Sequence, residues 1–154
     1  MFATLVKELG ESIGLRDLSP DVSGALTLTV DGFPFLLQYY DAGQELYIIH
    51  RIGTLPEYSE QQIAVQRFLL EKNCFFREVG PGVLGVEKND IFYTVRVGCC
   101  DKFGQRMSGE ELEHMLRAVV DTCAVLRSGC AEVMHMKQDS ALPAGDEFLS
   151  MIRV

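Results

Sequence analysis

The chain has 154 residues, enough for one domain with a substantial core. Hydrophobic residues make up 47% and charged residues 23%, an ordinary globular composition. A net charge of -8 argues against a protein that grips nucleic acid or an anionic membrane through bulk charge, and no apolar run approaches the roughly 18 residues of a membrane span.

The first predicted element is a helix. Phe2, Leu5, Val6, Leu9 and Ile13 recur at helical spacing, with Gly14 as the stop. This opening carries Glu8 and Glu11 and lacks the basic start and apolar core of a signal peptide, so a cytoplasmic protein is expected. Leu15 to Gly24 reads as a loop.

The period then changes to two. Ala25–Val30, Phe33–Tyr40 and Glu45–Ile52 read as an antiparallel meander, with Asp31-Gly32 a strong tight-turn signal. Pro34 suggests an edge or strand-start position. Leu26, Leu28, Val30, Phe33, Phe35 and Leu37 account for a core face. Because strand side chains alternate, Leu36, Tyr40, Tyr47 and Ile49 then point the other way.

A second helix is expected over Ser59–Phe76, opened by a capping box of Ser59 and Gln62. Ile63, Arg67, Leu70 and Cys74 form one ridge. Ala64, Phe68 and Phe75 line others, and Val65, Leu69 and Phe76 take a third direction. An apolar arc this wide must be buried on more than one side, against its own subunit or a second copy. Val65, Phe68, Leu69 and Phe76 are the expected dimer contacts.

Gly80-Pro81-Gly82 breaks the chain, and Val83–Glu87 with Ile91–Val97 reads as a hairpin. Ser108 and Glu111 form another capping box. Leu112, Met115, Leu116, Val119, Val120, Cys123 and Leu126 give the third helix its stripe, with Gly129 as its predicted end. The fold class is α+β: an antiparallel sheet with three helices, order α-β-β-β-α-β-β-α, in two layers. Residues 1–129 form the domain, and residues 130–154 a C-terminal extension of uncertain structure.

No catalytic site emerges. Cys74, Cys99, Cys100, Cys123 and Cys130 contain no CxxC pair, and vicinal Cys99-Cys100 is poorly suited to an unstrained disulfide. Cys74 and Cys123 are expected in the core, and Cys130 is read as a candidate for exposure. His50 is read as a packed or rim residue and His114 as part of a solvated helix face. Met134-His135-Met136 is a weak soft-metal pattern. Glu110, Glu111 and Glu113 suit a helix start electrostatically. Glycine-rich phosphate loops, serine elbows and paired-carboxylate sites are missing from the sequence. No catalytic residue, metal ligand or cofactor is assigned.

The element order resembles the class I chaperones of bacterial type III secretion, the Tir chaperone (CesT) family. LTLTVDGFPFLLQYYDAGQELYIIHRIGTLPE resembles the family's central meander running into its second helix. LGVEKNDIFYTVRV resembles its later hairpin, and SGEELEHMLRAVVDTCAVL its last helix. The resemblance spans about Met1 to Gly129. It implies an ATP-independent homodimer in the bacterial cytoplasm that holds an extended N-terminal segment of a secreted effector. It also implies that Leu5 and Val6 of the first helix join Leu36, Tyr40, Tyr47 and Ile49 in receiving that segment. Two other classes stay open from the residues alone: a small thiol-dependent redox protein, and an α+β module for a folded partner or small ligand.

Overall fold

The structure is a computed structural model and describes residues 1–15, 17–74, 78–100 and 104–135. Helix α1 spans Phe2–Ile13 and turns Phe2, Leu5, Val6 and Leu9 inward. Gly14 ends it with φ +74°, a left-handed conformation that costs glycine little, and the Leu15 amide donates to the Gly10 carbonyl at 2.8 Å.

Strands β1 (Ala25–Val30), β2 (Phe33–Tyr40) and β3 (Glu45–Thr54) form the expected meander. Asp31 and Gly32 both have positive φ, 49° and 82°, as a two-residue hairpin turn matched to the strand twist requires. Helix α2 (Ser59–Asn73) then crosses over to a hairpin of β4 (Gly82–Glu87) and β5 (Asp90–Gly98). The sheet order is β1-β2-β3-β5-β4, and every neighbouring pair is antiparallel. Helix α3 (Gly109–His135) packs against α1, α2, β1 and β3, while α2 leans on β4.

The period-two pattern sorts the strands cleanly. Leu26, Leu28, Phe35, Leu37, Leu46, Ile48, Ile52, Leu84, Ile91, Tyr93 and Val95 are buried under the helices. Leu112, Leu116, Val119, Val120, Cys123 and Leu126 of α3 close the same core. The sheet's helix side is therefore the core, and α+β in two layers is the fold.

Some local expectations are met and others change. The α3 capping box forms: the Glu111 amide donates to Ser108 Oγ at 3.2 Å, and the Ser108 amide donates to Glu111 Oε2 at 2.7 Å. The α2 box does not form. Tyr58 is the N-cap, its carbonyl accepts from the Gln62 amide at 2.9 Å, and Ser59 is already helical. Helix α2 stops at Asn73, because Cys74 is extended; Phe75 and Phe76 lie outside the described residues. Pro34 sits at the start of β2 as expected, yet β2 is an inner strand, paired on both sides.

Gly129 does not end α3, which continues to His135. A Cβ there would stand 2.6 Å from Phe68 Cζ. The glycine makes room for an aromatic ring from α2, and that close approach explains a glycine inside a helix. Beyond His135 the C-terminal extension, Met136 included, lies outside the described residues.

Candidate functional site

Among the described residues the three helices lie on one side of the sheet, and none covers the other face. Leu36 and Ile49 are direct cross-strand partners there. Leu36 is exposed and Ile49 half-buried. Gln38 pairs with Tyr47 next along the ladder. The Tyr40 and Tyr47 rings meet edge to face at 5.2 Å, a favourable aromatic geometry. Four predicted residues from two strands thus share this face as two apolar pairs, Leu36–Ile49 and Tyr40–Tyr47, with Gln38 between Leu36 and Tyr40.

Its rim is charged and ordered. Tyr47 Oη donates to Glu45 Oε2 at 3.2 Å, and Glu45 pairs with Arg96 from β5. The hydrogen bond from Arg96 holds the Glu45 carboxyl below its ordinary range, with a smaller contribution from Tyr47. Arg51 Nη2 meets Asp90 at 2.7 Å, and hydrogen bonding from Arg51 lowers the Asp90 pKa. These pairs surround the patch without covering it.

Leu5 and Val6 do not join this surface. They are 3% and 0% exposed, facing inward from α1 into the core. Helical spacing marked them as apolar but did not say which way the helix faced.

The dimer residues are also redistributed. Val65 and Leu69 are buried in their own subunit at 0% and 5% exposure. Phe68 is half-buried against Gly129, and Phe76 lies outside the described residues. The outward side of α2 instead carries Ile63 and Leu70, 65% and 72% exposed, with an Arg67–Glu71 ion pair between their turns. Cys74, at the end of the same ridge, is exposed rather than core. Arg67 was the available signal: the ridge holding a charge is the one turned outward.

The sheet's two edges differ. At β4 the Asn73 side chain occupies the Leu84 amide and carbonyl, each at 2.8 Å. At β1 Asp21 bonds both backbone groups of Ala25: its carboxylate accepts from the amide at 2.9 Å and its own amide donates to the carbonyl at 2.8 Å. The adjacent Gly24 carbonyl points to β2, accepting from Tyr39. Strand alternation therefore turns the amides and carbonyls of Thr27 and Thr29 to the same free side as those of Ala25. Among the described residues this leaves an open edge beside the apolar side chains.

The three buried thiols offer little reactivity. Burial pushes Cys99 and Cys130 up, and Cys123 up to about 12, away from the thiolate form. Cys130 is buried, correcting its expected exposure. His50 is packed, with both ring nitrogens engaged by Pro34 and Arg127, which leaves neither free to activate a thiol. His114 is exposed as expected. Among the described residues no group of three or more His, Cys, Asp or Glu side chains is placed to hold a metal, and no helix is long and apolar enough to cross a membrane.

The fold has relatives among solved structures. SycH, a type III secretion chaperone of Yersinia Pestis solved with a stable fragment of YscM2, is 21% identical, with 82% of this chain and 99% of that chain covered and a TM-score of 0.58. A chain of the ExsC-ExsE complex is 18% identical over 80% and 89%, with a TM-score of 0.63. A chain of the heterodimeric ExoU-SpcU complex from the type III secretion system of Pseudomonas aeruginosa is 17% identical over 91% and 100%, with a TM-score of 0.54. The same architecture occurs in YbjN, a putative transcription regulator from E. coli, at 13% identity and a TM-score of 0.54. Fold alone therefore does not select the function. None of the curated proteins matches the chain. A family model matches residues 4–127, most of the domain, and on that match the chain belongs to the Tir chaperone protein (CesT) family.

Proposed function

We propose that this protein is an ATP-independent chaperone of type III secretion that holds an N-terminal segment of a secreted effector extended and competent for export. Family membership supports the class. The observation that carries the mechanism is the uncovered patch of Leu36, Ile49, Tyr47 and Tyr40 beside the open β1 edge. A water-facing sheet ordinarily places polar side chains on such a face. An extended segment fits it physically, because edge amides supply strand pairing and apolar side chains fill the patch. Ordering such a segment costs about 2–5 kcal/mol of the gross interaction energy, so the mechanism needs both kinds of contact.

The working unit in this reading is a homodimer. Ile63 and Leu70 on the outward ridge of α2 supply the apolar contact, and a dimer doubles the surface offered to one effector. The chain works in the bacterial cytoplasm and performs no chemistry on its partner. The neutral, buried thiols of Cys99, Cys123 and Cys130 and the fully engaged His50 fit a binding role.

Amide hydrogen exchange tests the docking site. The probe is an effector N-terminal segment that co-purifies with the chain, co-expressed with it. Thr27 and Thr29 amides should exchange quickly in the free protein and become protected in the complex, while Leu84 remains unchanged. Protection confined to the helix side of the molecule would overturn the assignment.

A further inference from the structure

His50 is 1% exposed on the core face of β3. Its Nδ1 lies 2.7 Å from the Pro34 carbonyl oxygen, which only accepts, so Nδ1 carries the hydrogen. Its Nε2 lies 3.0 Å from Arg127 Nη2, which only donates, so Nε2 is the acceptor. The two partners specify one neutral tautomer and leave no site for a second proton. The Phe33 and Phe35 rings flank the imidazole at 5.4 and 5.1 Å, and the Arg127 guanidinium sits 4.8 Å over Phe33. One side chain therefore ties β3 to β2 and to α3.

We propose that His50 and Arg127 form an acid-sensitive latch, which fixes the C-terminal half of α3 to the β2–β3 hairpin and opens when His50 takes a proton. That proton would sit on Nε2, setting donor against donor and cation against cation. Arg127 must then leave, and its stacking on Phe33 goes with it. From β2 the imidazole faces only the Pro34 carbonyl and the two phenyl rings. From α3 it faces Arg127, with Cys123 one turn earlier. From β5 it faces Tyr93, its cross-strand partner. Burial pushes Tyr93 and Cys123 up to about 12, so both are neutral at physiological pH. Arg127 is the charge that acts on His50. Burial first, then Arg127, holds the imidazole below its ordinary 6.5 despite the opposing hydrogen bond to Pro34.

The sign of the pH dependence follows. Above pH 6.5 the residue is neutral in both the folded and unfolded chain. Below it the unfolded chain takes a proton that the native site refuses. Stability therefore falls as pH drops from 6.5 toward the folded pKa, by at most about tenfold in the folding constant per pH unit for one proton.

The test needs no effector. The His50 imidazole is titrated by NMR, and thermal midpoints are measured from pH 7.5 to 5.5, for the wild type, His50→Gln and Arg127→Met. Glutamine stays neutral throughout, and methionine keeps an apolar stem near Phe33 without charge. His50 should titrate below 6.5 in the wild type and higher in Arg127→Met. The wild type should lose more stability on acidification than either variant, with amide exchange rising first in the second half of α3. If His50→Gln fails to fold, Arg127→Met and the wild-type titration decide. A wild-type His50 titrating at or above 6.5, or an equal loss of stability in all folded variants, would overturn the latch.

Discussion

The Asn73 side-chain amide donates to the Leu84 carbonyl and accepts from the Leu84 amide, both at 2.8 Å. It stands in for a neighbouring strand at the outer edge of β4. One residue at the end of α2 thus docks the helix on the sheet and blocks that edge.

Asn73→Ala should cost roughly 1–3 kcal/mol, because the half-buried backbone groups of Leu84 lose their partners. Urea unfolding with an unchanged slope would measure the loss. The variant should also show a greater tendency to associate through β4, visible by light scattering as a concentration-dependent increase in mass. An unchanged midpoint would show that water replaces the amide without cost.

Helix α2 allows a sharper test of oligomeric state. If the proposed α2 contact holds a dimer together, Ile63→Glu with Leu70→Glu should give a folded monomer, since unpaired charge in a desolvated contact costs several kcal/mol. Leu69→Glu should instead unfold the subunit, because Leu69 is buried within it. Sedimentation and circular dichroism separate the two outcomes. A double variant that stays dimeric would place the interface elsewhere.

The thiols predict an order of labelling. Iodoacetamide should modify Cys74 first in the native protein, as it is exposed, and leave Cys99, Cys123 and Cys130 unlabelled until unfolding. Mass spectrometry of peptides after timed labelling reads this directly. Rapid native labelling of Cys123 would contradict its burial and its pKa near 12.

Local rules made much of the fold legible. Alternation in ALTLTV, the Asp31-Gly32 turn and the Ser108–Glu111 box each depend on neighbours within a few residues, and the structure contains all of them. Orientation was harder to read. Helix α2 offered several apolar directions, and only contacts with β4 and α3 decide that Val65 and Leu69 turn inward while Ile63 and Leu70 turn out. The inward turn of Leu5 and Val6 is hidden from the sequence for the same reason. Gly129 looked like a terminator because its partner, Phe68, is distant in sequence. The patch on the sheet was readable because Leu36, Tyr40, Tyr47 and Ile49 needed only strand parity. The Asp21 and Asn73 contacts that distinguish the edges required the tertiary structure.

The most direct test of the effector-binding account is affinity after Leu36→Asp with Ile49→Asp. These partners sit together on the uncovered face, so two carboxylates there should leave the core, the helices and the α2 contact intact. Calorimetry with an effector N-terminal segment that co-purifies with the chain should show binding to the wild type and none to the double variant, with equal helix content and oligomeric state. A folded double variant that binds with wild-type affinity would contradict the account, and one that unfolds would show that this face is core.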